Sequence, residues 1–206
     1  MIVHLMDSQV VISGETDAEQ AVLASWSGRR EGRLFRLAVL EGSSIRLDDA
    51  GEEAALRFAP INITFDTTAM PLQLISNLAP TPFELDRRRY ASIEGFWQGL
   101  KLPDEVDRQR IAALSGHAAK AAGPSSRPGD SIVYEGREIC VGTVDHWALM
   151  ERACEAKFNQ HDAACAALLS TGSRSLEHKV AADSRTIPGV VMADIWMRLR
   201  ARLASA

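Results

Sequence analysis

The 206 residues, 46% of them hydrophobic and 24% charged, suit one ordinary globular domain with a sizeable core and exclude fibrous and disordered classes. The 23 basic and 27 acidic residues give a formal charge of −4, which excludes a general attraction to nucleic acid or anionic membrane. No apolar run is long enough to span a bilayer and no signal-peptide pattern opens the chain, so the sequence reads as a cytoplasmic protein without membrane contact.

The first seventy residues have strand texture. Met1 to Val11 reads as a strand, and the runs Val10 to Ile12, Leu34 to Leu40 and Leu56 to Phe65 are rich in branched and aromatic residues. Gly14, Gly28, Gly32, Gly42 and Gly51 punctuate them. Asp17 to Trp26 reads as a short helix with Thr16 as its cap. We therefore expect residues 1–70 to form a β-rich extension, a small antiparallel sheet packed on a main domain of residues 71–206.

From Ser92 the texture turns helical. Ser92 to Lys101 and Pro103 to Leu114 are the first two helices, the latter with Asp104 and Glu105 in its first turn, where negative charge suits the helix dipole. Gly123 to Gly129 is a loop by composition, followed by a strand pair over Ile132 to Tyr134 and Glu138 to Val141, turned at Gly136. His146 to Phe158 places Trp147, Met150, Cys154 and Phe158 on one helical face. Asp162 is positioned to cap a short helix ending at Gly172. Pro188 suits the first turn of a last helix in which Val191, Ile195, Leu199 and Leu203 recur every four residues. The fold class is α+β, mainly helical.

Three cysteines, Cys140, Cys154 and Cys165, without CxxC spacing argue against a disulfide framework and a structural zinc site. The histidines lack metal-ligand spacing, and there is no P-loop or GxGxxG. Neither metal nor cofactor is expected.

The segment most informative about chemistry is Tyr90 to Lys101. Wound as a helix, it aligns Glu94, Gln98 and Lys101 in one stripe beside an apolar face of Ile93, Phe96, Trp97 and Leu100. Gly95 and Gly99, one turn apart, each weaken such a helix by roughly 1 kcal/mol relative to alanine and allow a backbone or a ligand to come close. Charges in a row on a helix are more often a solvated face. Here, however, Glu94 and Lys101 lie two turns apart, too far for the usual intrahelical pair, so local helix support does not account for them.

Further residues extend this pattern into a resemblance. Ser76-Asn77-Leu78-Ala79-Pro80-Thr81-Pro82-Phe83 followed by Tyr90, Glu94, Gln98 and Lys101 resembles the opening signature of the NADAR family, an "SNF" turn and a strand leading into a helix of the form SxEHxxQxxK. Ala153, Ala156 to His161, Leu168 to Gly172, Leu176 to His178 with Asp183, and the closing helix resemble later family segments in the same order. The matches run from Ser76 to Leu203 and leave the first seventy residues outside.

The resemblance implies a hydrolase that cleaves an N-glycosidic bond between ribose and a base. The substrate would be a small-molecule nucleotide such as a riboflavin-pathway intermediate, or ADP-ribosylated guanine, free or within nucleic acid. Glu94 is then the carboxylate that stabilises oxocarbenium character or activates a nucleophile. Lys101 either traps ring-opened ribose as a Schiff base or pairs with a phosphate. Gln98 orients the sugar or Glu94. Asp183 is the candidate second carboxylate, or else a cap or turn residue. Ser76, Asn77, Trp97 and Lys157 are assigned to substrate binding; Ser76 and Asn77 would alternatively cap their turn, and Lys157 would alternatively be structural. His178 and the Arg87-Arg88-Arg89 run are read as structural as readily as functional.

The chain also departs from the family pattern. Gly95 stands where a histidine usually follows the helix glutamate, Gly123-Pro124 where the family has "GR", and Ser184-Arg185 where "WG" follows the aspartate. A tryptophan-aspartate pair is absent at its usual place. These changes fall on the side of the pocket that would enclose the base, and they sustain an alternative: a non-catalytic module that senses ADP-ribose or a related nucleotide. The oligomeric state is not legible.

Overall fold

The computed structural model describes residues 2–6, 9–28, 35–39, 45–49 and 59–205. The expected turns at Gly32, Gly42 and Gly51, and the strand ends at Leu34, Leu40 and 56–58, lie outside the described residues. The chain divides into two compact units, residues 1–59 and 60–206.

In the first unit, β1 (Ile2–Met6) pairs antiparallel with β2 (Gln9–Ser13), and β3 (Phe35–Val39) with β4 (Ile45–Asp49). The opening run expected as one strand is thus two. Between the ladders lies α1 (Asp17–Ser27), capped as its sequence requires. The Thr16 hydroxyl accepts the Glu19 amide, and the Glu19 carboxylate accepts the Thr16 amide, closing a capping box.

The second unit begins earlier than the residue-70 boundary read from the sequence. Its first strand, β5 (Ile61–Asn62), pairs in parallel with β10 (Leu176–Glu177), more than a hundred residues later. A 3₁₀ turn over Leu72–Ile75 and the hairpin β6 (Phe83–Leu85) and β7 (Arg88–Tyr90) lead into α2 (Ile93–Leu100). Then follow α3 (Glu105–Ala112), α4 (Gly116–Ala122), the hairpin β8 (Ser131–Tyr134) and β9 (Arg137–Cys140), α5 (Val144–Gln160), α6 (Asp162–Ser170) and α7 (Gly189–Ala204). The architecture is α+β, with helices dominant.

Helix α2 lies in the centre, and every one of its residues is buried. Its glycines show why: a Cβ on Gly95 would sit 2.6 Å from the Leu114 carbonyl oxygen, and one on Gly99 would sit 3.1 Å from that of Arg108. The close neighbour is therefore the backbone around α3, not a ligand. Around α2 the core gathers Phe83, Tyr90, Tyr134, Met150, Phe158 and Trp196. The Phe96 ring meets Tyr90 edge-on at 5.0 Å and Tyr134 at 5.9 Å.

Two caps differ from expectation. The His161 ring accepts the Ala164 amide, so His161 rather than Asp162 caps α6. Pro188 is the residue just before α7, whose N-terminus is held by the Asp183 carboxylate on the Gly189 amide at 2.9 Å.

Candidate active site

The site starts from the N-terminus of α2. Ser92 caps the helix through its hydroxyl, which accepts the Gly95 amide at 2.9 Å and donates to the Leu114 carbonyl. Glu94 in the first turn donates its amide to the Asn77 carbonyl at 2.9 Å, which ties the helix to the preceding turn. From there the helical repeat lines up the polar side chains. Gln98 Nε2 donates to Glu94 Oε1 at 2.7 Å, and Lys101 Nζ donates to Gln98 Oε1 at 2.8 Å. The amide thus bridges an acid and an amine that cannot reach each other directly.

These groups are withdrawn from water without being sealed. Glu94 is 9% exposed and Gln98 6%, and Lys101 is half-buried. Burial holds the Lys101 amine below the ordinary lysine range, against the Glu94 charge, which raises it. Its ammonium lies 4.7 Å from the Trp97 ring centre. Trp97 also leans on His146, centroid to centroid 4.5 Å. His146 Nδ1 accepts the Gly142 amide, and burial lowers its pKa to about 4, so the ring backing Trp97 is neutral.

Glu94, Trp97, Gln98 and Lys101 open into one cleft of about 940 Å³, a size suited to a nucleotide-sized ligand. Ser76 and Asn77 line its wall. The Ser76 hydroxyl accepts the Leu78 amide, as a turn cap does. Asn77 Nδ2 lies 3.0 Å from the Met192 sulfur, and Asn77 Oδ1 is buried without a partner among the described residues. Asp183 also lines the cleft, but its Oδ1 is committed to the Ser184 and Gly189 amides, so the capping alternative describes its bonds.

Lys157 does not belong to this wall. It is wholly buried, and its ammonium donates to the carbonyls of Ile75 at 3.0 Å and Ser76 at 2.9 Å. The assignment to substrate binding is corrected: helical spacing turns this side chain into the core. His178 does line the cleft, but its bonding is structural, with Nδ1 on the Ile63 carbonyl and its ring edge-on to Trp196.

Sequence reasoning missed the basic rim. Lys120, Arg127 and Arg185 line the cleft as exposed side chains, without an ion pair among the described residues. Arg127 lies in a loop legible by composition, which was the available signal. Asp66 and His117, 2.7 Å apart, also reach the cleft and carried no sequence signal. Among the described residues no cluster of His, Cys, Asp and Glu has the arrangement of a metal site, and no helix is long and apolar enough to cross a membrane.

A second groove of about 570 Å³ lies between the hairpin turns and α5. There the Asp86 carboxylate accepts the Tyr134 hydroxyl at 2.6 Å and Arg152 at 3.0 Å. Arg88 bridges Glu135 at 2.6 Å and Glu105 at 3.1 Å. Arg88 of the Arg87-Arg88-Arg89 run therefore serves a paired surface, and none of the three arginines lines the cleft.

A central buried helix carrying an acid, an amide and an amine into a nucleotide-sized cleft defines a class of α+β proteins built around one polar helix face. The chain belongs to the family described as bacteriophage protein GP30.3, whose model matches residues 69–199, and is a divergent NADAR-family member. It resembles the NMR structure of the E. coli protein YbiA, with a TM-score of 0.52 and 25% identity over 72% of this chain and 88% of that one. It is also 42% identical over 55 residues to an uncharacterized 17.1 kDa protein in the Gp30-rIII intergenic region of Enterobacteria phage T4. That match spans 27% of this chain and 36% of the phage protein, so the chain covers about a third of that relative's length.

Proposed function

We propose that the protein is a hydrolase cleaving the N-glycosidic bond between a ribose, as ADP-ribose or ribose phosphate, and a base such as ADP-ribosylated guanine or a riboflavin-pathway intermediate. The observation that carries this reading is the Glu94–Gln98–Lys101 chain opening into the cleft. Breaking a C1′–N bond places positive charge on the sugar, and a carboxylate in a partly dehydrated wall stabilises that charge more strongly than one in water. Glu94 fills this role. Lys101, with its lowered proton affinity, serves either as a nucleophile toward the ring-opened aldehyde carbon or as a point charge on phosphate. Lys120, Arg127 and Arg185 give the rim the sign that phosphate requires.

The test is release of free base from an ADP-ribosylated guanosine nucleotide or a riboflavin-pathway ribose phosphate by the purified protein. Glu94→Gln should lower the rate about a thousandfold or more. Unchanged turnover in that variant would refute the role of Glu94.

One observation favours a second reading, a nucleotide sensor without turnover. Trp97 is the one tryptophan on the cleft wall among the described residues, and Trp147 instead donates its indole N–H to the Thr186 carbonyl. The enclosure expected around a base is correspondingly thin. Calorimetry with ADP-ribose separates the two readings, because a sensor binds and leaves both ligand and ADP-ribosylated guanosine intact.

A further inference from the structure

Lys157 is the one lysine wholly withdrawn from solvent among the described residues, and the chemistry described above does not use it. It projects from the inner face of α5, with its ammonium 5.1 Å from the centre of the Phe158 ring and Cys154 one turn earlier. No carboxylate pairs with it among the described residues. Both of its hydrogen bonds go to main-chain carbonyls, Ile75 at 3.0 Å and Ser76 at 2.9 Å.

Those carbonyls have a particular place. They close the 3₁₀ turn Leu72–Ile75, where carbonyls run out of partners within the turn and the dipole favours a cation. The next residue is Asn77, whose own carbonyl accepts the Glu94 amide at 2.9 Å. One peptide unit therefore separates the lysine's contact from the bond that fixes the first turn of α2. A methionine would fill the same space without desolvating an amine, but it would take away the donor on the Ile75 carbonyl and leave the Ser76 carbonyl with the Ala79 amide alone, at 3.2 Å. The two acceptors need only two N–H groups, which a lysine offers whether or not it is protonated.

We infer that Lys157 is a positioning residue for Glu94: by clamping the Ile75 and Ser76 carbonyls it fixes the Ser76–Asn77 turn, and the turn sets the N-terminus of α2. The inference rests on Glu94 acting as proposed, and it adds that the geometry of the acid is set from behind, by a side chain that never meets substrate.

The test is residue-resolved hydrogen exchange on the full chain, in the native protein and in Lys157→Met, with Cys154→Ala as a neighbouring core substitution that leaves the clamp intact. Lys157→Met should speed exchange of the Glu94 amide by about tenfold or more beyond any change at Ala153 and Phe158 on α5. Cys154→Ala should raise exchange evenly. With the ADP-ribosylated guanosine nucleotide, Lys157→Met should lower kcat by about ten- to a hundredfold while KM stays within about threefold. Should the methionine variant not fold, Lys157→Gln, which keeps two N–H groups on a shorter stem, should show the same selective exchange at Glu94. A Glu94 amide that keeps its native exchange rate in the folded variant, or that changes only in step with the rest of α5, overturns the inference. Because exchange needs no substrate, failure of the native protein to release base would count against the proposed function and leave this result standing.

Discussion

The cleft and the hairpin groove are built from similar residue types, acids beside bases with a tyrosine or tryptophan at hand, yet they leave those groups in different states. In and beside the groove, Asp86 is engaged by the buried Tyr134 hydroxyl and by Arg152, and Arg88 is shared by Glu135 and Glu105, the charged side chains all keeping appreciable exposure. Each charge meets its opposite in water, where attraction is weak and little is left to act on a ligand. In the cleft, the acid and the amine are bridged by Gln98 rather than paired directly, the acid buried and the amine half-buried.

If burial rather than pairing sets the state of a basic group, the pH dependence of stability should come from the core groups Lys157 and His146, neither of which lines the cleft. Burial lowers Lys157 to about 7 against an ordinary 10.5, with Cys154 opposing the shift. Between those values the unfolded chain binds more protons, so stability should rise with pH from about 7 upward, by at most about 1.4 kcal/mol per pH unit. Burial likewise lowers His146 to about 4 against 6.5, so its contribution is complete above 6.5 and fades as pH falls toward 4. Urea denaturation from pH 4 to 9 should show both rises, and Lys157→Met should flatten the upper one. A flat upper limb in the native protein would place the buried lysine's amine in an ordinary environment.

A smaller effect sharpens the packing half of the comparison. Gly95→Ala places a methyl 2.6 Å from the Leu114 carbonyl and 3.0 Å from that of Ile111, both main-chain atoms that must move. We expect a loss of about 1–3 kcal/mol in urea denaturation, because overpacking against a backbone has little room to relax. The smallest effect belongs to the groove. Arg152→Ala should cost less than about 1 kcal/mol and change base release less than about twofold, since its pair with Asp86 is largely exposed. A tenfold loss of activity there would erase the distinction between the two regions.

The helical stripe of Glu94, Gln98 and Lys101 was legible because a 3.6-residue repeat needs only local sequence. The same holds for the cap at Thr16 and for the core face of α5. What escaped depends on partners far along the chain. Lys157 follows the periodicity of a helix end, but only the arrival of the Ile75 and Ser76 carbonyls makes it a core residue. Asp183 looked like a second acid until the Gly189 amide claimed it. Gly95 and Gly99 announced a close approach without saying that the visitor was the backbone beyond α3. The rim of Lys120, Arg127 and Arg185 comes from separate segments with no shared spacing.

The parallel pair β5–β10 has a practical consequence. The family match opens at residue 69, yet Ile61 and Ile63 are buried and joined by main-chain bonds to Ser175 and Glu177, and the Ile63 carbonyl holds His178. A clone trimmed to the matched stretch would discard a stitch that anchors the segment leading to Asp183, so expression boundaries belong ahead of Pro60.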